Sequence, residues 1–157
     1  MKSLSPKVAA ELAKEVYGVQ DAFVLKGFMK RAEFSRSKSD KQSLTAEVGS
    51  YLVNTKDGFG ICAIGGKGYE NDIFLIFRGS TFANNNADWV SNAHIGIEFS
   101  RTGLPVHIGF NQIFGSMLPK IKEFLGLHTK ITGTIHCVGH SLGGAVATLV
   151  ADWVSSN

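Results

Sequence analysis

The spacing of apolar and polar positions divides the chain into alternating helical and extended segments. Val8, Leu12 and Val16, backed by Ala9 and Ala13, recur at helical intervals and make one narrow apolar stripe. Ser5 suits the N-cap, Pro6 the first helical position and Gly18 the residue just past the end, so a helix is expected within residues 1–18. Strand patterns follow at Glu47–Val53, Gly58–Ile64 and Ile73–Phe77, the last two joined by Gly65-Gly66-Lys67-Gly68 as an antiparallel pair. Ile73-Phe74-Leu75-Ile76-Phe77 is apolar without alternation, as in a central strand covered on both faces. Ile95, Ile97 and Phe99 alternate with polar or small residues and suit a half-exposed hairpin arm. Phe110, Ile113, Phe114, Met117, Ile121 and Phe124 give a second helical stripe, which Pro119 should kink or split. Thr134–Val138 reads as another short buried strand and Leu142–Val154 as a helix rich in small residues. Strands alternating with helices predict an α/β fold, with a sheet between helical layers. No repeat or linker interrupts residues 1–157, which are expected to form one domain.

Composition narrows the picture. With 157 residues, 44% of them hydrophobic and 18% charged, the chain can bury a core, which excludes disorder, collagen and a small disulfide scaffold. A net charge of +3 is too small for a dedicated nucleic-acid binder, and the apolar runs are shorter than a membrane span needs. The excess is local: Lys26, Lys30, Arg31, Arg36, Lys38 and Lys41 face only Glu33 and Asp40 across Lys26–Lys41. That stretch is a solvated loop or a patch for anionic headgroups, where each basic residue contributes ~1 kcal/mol. Cys62 and Cys137 lie in apolar strands and read as buried free thiols, which leaves the redox compartment open. No Sec-type leader is visible, because charged residues interrupt the N-terminal segment from Lys7 to Glu15; export, if any, takes another route. The histidines lack ligand spacing and the glycine turn is too short for a phosphate loop, so no metal and no cofactor are expected.

The chemistry sits in Gly139-His140-Ser141-Leu142-Gly143, a G-x-S-x-G pattern between a strand and a helix. A turn this tight strains the serine backbone and requires glycine on either side, because a Cβ there would strike the neighbouring strand or helix. Arg78-Gly79-Ser80-Thr81 ends the other buried strand, and in a parallel sheet both ends open on the same carboxyl edge. An acyl-transfer site needs donors aimed at the developing oxyanion; the N–H of Leu142 supplies one, and Ser80 suits the second.

Four segments in order carry a resemblance: Ile76-Phe77-Arg78-Gly79-Ser80, Asp88-Trp89, Val106-His107-Ile108-Gly109-Phe110 and Val138-Gly139-His140-Ser141-Leu142-Gly143-Gly144-Ala145. Over roughly Leu44 to Asp152 the chain resembles the class 3, fungal-type triacylglycerol lipases of the α/β-hydrolase superfamily. The resemblance implies a mostly parallel sheet flanked by helices and a carboxylester or phospholipid hydrolase. It assigns Ser141 as nucleophile, Ser80 and Leu142 as oxyanion donors, and Gly139, Gly143, His140 and Asp88 as structural support. It also places a lid over Phe82–Asn92, with Phe82 and Trp89 as the aromatics that cover the site in water and turn to a lipid surface. The implied partners are a lipid or phospholipid ester and, transiently, a membrane surface.

One part of that pattern is missing. In this family an aspartate and then a histidine follow the elbow, but Leu142–Asn157 holds only Asp152 and no histidine. Asp152 lies about 16 Å along the helix at 1.5 Å per residue, too far to orient a base beside Ser141, and is expected at the surface. His94, His107, His128, His136 and His140 each read as structural. The α/β-hydrolase sheet is therefore expected to be incomplete at its C-terminal side, with the aspartate and histidine supplied by a missing C-terminal half or a second chain. Without them Ser141 stays weakly nucleophilic. Two other functions remain open: an inert lipid- or protein-binding module, and the same elbow used on a thioester or peptide. The short first helix without a Sec leader also resembles antibacterial effector lipases, whose partner would be an inhibitory immunity protein.

Overall fold

The computed structural model describes residues 3–26, 47–54, 59–65, 68–80 and 96–157. The elements are helix α1 (Pro6–Lys26), strands β1 (Glu47–Asn54), β2 (Phe59–Ile64), β3 (Ile73–Phe77), β4 (Ile97–Phe99) and β5 (Pro105–His107), helix α2 (Ile108–Leu127), strand β6 (Ile135–Gly139) and helix α3 (Leu142–Ser155). The main sheet runs β1-β2-β3-β6, and β4 and β5 form a separate hairpin. β1–β2 and β2–β3 are antiparallel, whereas β3 and β6 are parallel. The parallel character expected of the sheet is carried, among the described residues, by that one pair. β6 is the last strand, and none of the described residues pairs with its outer edge.

Helices cover both faces because β3 is apolar at every position. Ile73, Leu75 and Phe77 point toward α2 and α3, where Phe114, Met117, Ile121, Phe124, Val146 and Val150 are buried with them. Phe74 and Ile76 point the other way, with Val138 of β6, toward Leu12, Ala13 and Val16 of α1. A fully buried aliphatic side chain contributes about 1.5–3 kcal/mol, so Leu12 and Val16 alone hold α1 firmly on the sheet. The helix does not end at Gly18 as the glycine suggests, but continues to Lys26. An interior glycine costs about 1 kcal/mol relative to alanine, too little to stop a helix with no proline after Pro6. Pro119 likewise fails to split α2, which is continuous through Leu127. The proline is exposed, while the apolar stripe of the helix stays buried.

The two thiols share one face of the sheet. Cys62 and Cys137 both lie opposite Leu75, one on each side, which separates them by two strand spacings, about 9.6 Å, beyond disulfide reach. Both are free. Burial pushes the Cys137 thiol up to about 12 and that of Cys62 further up, where Cys137 adds a smaller push.

A buried polar clamp fixes the lower end of the parallel pair. Asp72 Oδ1 accepts the Thr134 N–H at 2.8 Å, and Oδ2 lies 3.0 Å from His136 Nε2. The Ile73 N–H donates to the Thr134 carbonyl at 3.0 Å and the Gly133 N–H to that of Asn71 at 2.7 Å. His136 stacks on Phe74 with ring centroids 4.7 Å apart. Asp72 thus holds the start of β6 beside the start of β3. Asp72→Ala leaves the Thr134 amide and the His136 ring without that carboxylate; losing the acceptor of a buried hydrogen bond costs about 1–3 kcal/mol. Urea unfolding should show a loss of that size, and a loss below about 1 kcal/mol would mean that Asp72 does not hold the register.

Candidate functional site

The site follows from the register at the upper end of β3 and β6. Phe77 lies opposite Gly139, so Arg78-Gly79-Ser80 and His140-Ser141-Leu142 leave the sheet side by side. Their closeness is visible at Gly79, where a Cβ would come within 2.6 Å of the His140 carbonyl and 3.2 Å of the Ser141 Cβ. The same point is crowded by the Tyr17 hydroxyl of α1. Three segments of the chain therefore converge on one glycine.

Ser141 adopts φ 55°, ψ −126° and is the one non-glycine residue with positive φ among those described. Such a conformation costs on the order of 1–3 kcal/mol and survives only where its surroundings impose it. Here they do. A Cβ on Gly139 would collide with the Gly143 carbonyl, and one on Gly143 with the Phe77 carbonyl. The helix and the two strand ends can touch only because both residues are glycine. Ser141 is exposed and stands at the N-cap of α3 without using its side chain as a cap, so its hydroxyl is presented outward. The Gly143 N–H donates to the His140 carbonyl, and the Gly144 N–H to that of Ser141. The Leu142 N–H finds no acceptor among the described residues and is one of the free donors that every helix N-terminus leaves. Ser80 is half-buried and lines a cleft of about 1090 Å³ between α1 and β6, together with Gly139 and His140; Leu4, Ala9, Ala13 and Val138 supply its apolar wall.

The structure thus brings Ser141, Leu142, Gly139, Gly143, His140 and the Gly79-Ser80 segment together. Phe82, Asp88 and Trp89, the lid and His94 lie outside the described residues, as do residues 27–41 of the basic stretch. The other histidines have structural partners. His107 caps α2, its Nδ1 accepting the Gly109 N–H at 3.1 Å. His128 Nδ1 lies 2.8 Å from the Phe124 carbonyl at the far end of that helix. His136 belongs to the clamp at the opposite end of the sheet. Asp152, expected at the surface, is half-buried and accepts the Thr102 hydroxyl, tying α3 to the β4–β5 hairpin. Tyr17 is a site residue that the sequence did not disclose; its signal was an aromatic with a polar tip at the end of a buried stripe.

Because Ser141 makes no cap bond, replacing it with glycine removes strain and loses little else. Ser141→Gly should raise the unfolding free energy by about 1 kcal/mol, after the flexibility that glycine adds to the unfolded chain, whereas Ser141→Ala should leave it nearly unchanged. A Ser141→Gly protein less stable than Ser141→Ala would show that the serine backbone is not strained.

Comparison with known proteins agrees with this fold. The family model described as lipase (class 3) matches residues 74–157. The secreted mono- and diacylglycerol lipase 1 of Fusarium solani is 30% identical over 119 residues, 73% of this chain and 34% of that protein. The triacylglyceride lipase of Rhizomucor miehei superposes with a TM-score of 0.57 at 18% identity, over 99% of this chain and 58% of its own. For the Lip2 lipase of Yarrowia lipolytica the TM-score is 0.60 at 20% identity, over 93% and 52%. The chain spans about a third of the Fusarium protein and little more than half of the two solved structures. The fold is that of the α/β-hydrolase lipases, and on the family match and the Fusarium relative the chain belongs to the class 3 lipase family.

Proposed function

We propose that the protein is a serine carboxylester hydrolase that cleaves lipid esters, triacylglycerols or phospholipids, through an acyl-enzyme on Ser141. The observation that carries this reading is the strained Ser141 backbone beside the end of β3. In the reaction a base takes the Oγ proton as Oγ attacks the ester carbonyl. The carbonyl oxygen gains negative charge and is received by the N–H groups of Ser80 and Leu142, with the Ser80 hydroxyl as a further donor. The tetrahedral centre collapses, the C–O bond to the alcohol breaks, and the alcohol leaves with the proton. Water then attacks the acyl carbonyl in the same way and frees Ser141. Preorganised donors of this kind are worth on the order of 10²–10³ in rate each.

The cleft beside Ser80 follows β6 along its whole length, from Ile135 to Gly139, and so marks the edge at which a further strand of the sheet would pair. The described histidines are engaged in other contacts: His107, His128 and His136 away from the site, and His140 with the Tyr17 hydroxyl. In this reading the histidine and its aspartate come from a longer form of the protein or from a second chain, whose strand would also cover the outer edge of β6. Without that pair Ser141 is accessible but weakly activated. The Phe82 and Trp89 segment serves as the lid, and contact with a membrane surface is transient.

A fluorophosphonate probe tests the reading on the longest natural form of the protein. Label should map to Ser141 by peptide mass and vanish in Ser141→Ala, and Ser80→Ala should slow labelling by at least tenfold. Folded protein that stays unlabelled, or label on another residue, would refute it.

A further inference from the structure

Ser141 is strained, and glycine contacts explain only one side of its restraint. On the other side stands His140, whose Nδ1 lies 3.3 Å from the Tyr17 hydroxyl, with the two rings edge to face at 6.4 Å between centroids. Tyr17 follows directly on the buried Leu12, Ala13 and Val16 of α1, so its ring is carried on a helix that cannot shift without exposing the lower core. His140 falls on the same face of β6 as His136 and Val138 by strand alternation, which is the face α1 covers. The hydroxyl also fills the space above Gly79, next to the His140 carbonyl. One phenol therefore touches both halves of the site: the strand end that bears Ser80 and the residue that precedes Ser141.

We propose that Tyr17 is a positioning residue for the acyl-transfer site: its hydroxyl donates to His140 Nδ1, holds His140 with its proton on Nε2, and sets the spacing between Ser80 and Ser141. Tyr17 does not contact the reacting atoms. It acts by keeping the elbow from relaxing away from β3, which is where a strained backbone would move if one wall were removed. The N-terminal helix is then part of the catalytic geometry as well as a cover for the sheet. The proposal rests on Ser141 being the nucleophile, although the Tyr17–His140 bond can be examined without it.

The test has two arms. In ¹⁵N-histidine-labelled protein at pH 8, with the His140 signals assigned by their loss in His140→Leu, Nδ1 should resonate as an unprotonated acceptor and Nε2 as protonated. In Tyr17→Phe that tautomer preference should weaken. In the second arm the maximal rate of Ser141 phosphonylation should fall about fivefold in Tyr17→Phe, the worth of one neutral hydrogen bond, while the half-saturating probe concentration stays within about twofold. Tyr17→Phe, His140→Leu and the double variant should lose less together than the product of the single losses, because they break one interaction. A His140 proton on Nδ1 in the parent protein overturns the proposal even if the variants fail to fold, and so does an unchanged phosphonylation rate or a strictly multiplicative double variant. If the parent protein is not labelled at Ser141, the nucleophile assignment fails, and the tautomer arm alone decides the Tyr17 contact.

Discussion

The parallel, in-register pairing of β3 with β6 is the constraint on which the rest of this structure depends. Because Phe77 and Gly139 are directly opposite, two chain segments far apart in sequence leave the sheet at the same height and must turn aside within a few ångströms of each other. The turn after β6 has room only for glycine at Gly139 and Gly143, and the serine between them absorbs the conformational cost. The Asp72 carboxylate enforces the same register from below, by tying the first residues of both strands. A shift of one residue at that lower end would move Ser141 by about 3.3 Å relative to Ser80 and reverse the face on which each side chain of β6 lies.

The surrounding layers follow from this pairing. β3 needs apolar cover on both sides, which α1 provides on one face and α2 with α3 on the other. The same coverage brings the middle of α1 under the elbow and so delivers Tyr17 to His140. Strain at Ser141, burial of β3 and placement of the first helix are linked, and a change to any one of them reaches the others through short contacts. Storing a strained residue at the site is affordable because the core around β3 is dense. Phe74, Leu75, Ile76 and Phe77 are each at most 1% exposed.

Much of this was legible in the sequence. The unbroken apolar run of β3, the glycines around Ser141 and the small-residue helix after it are local patterns, and local patterns report local geometry. α1 runs past Gly18 and α2 is continuous through Pro119, because tertiary burial of a stripe outweighs a single breaker. What the sequence concealed is pairwise: Tyr17 with His140, separated by 123 positions, and Asp72 with His136, separated by 64. Neither pair has spacing that one chain could advertise, and each exists only once the helix has docked or the strands have aligned.

An experimental structure of the phosphonylated protein would test the central claim most directly. The pairing of β3 with β6 predicts a bond from Ser141 Oγ to phosphorus, with the phosphoryl oxygen within hydrogen-bond distance of both the Ser80 and the Leu142 backbone N–H. A phosphoryl oxygen turned to solvent, or held by groups away from the end of β3, would contradict it.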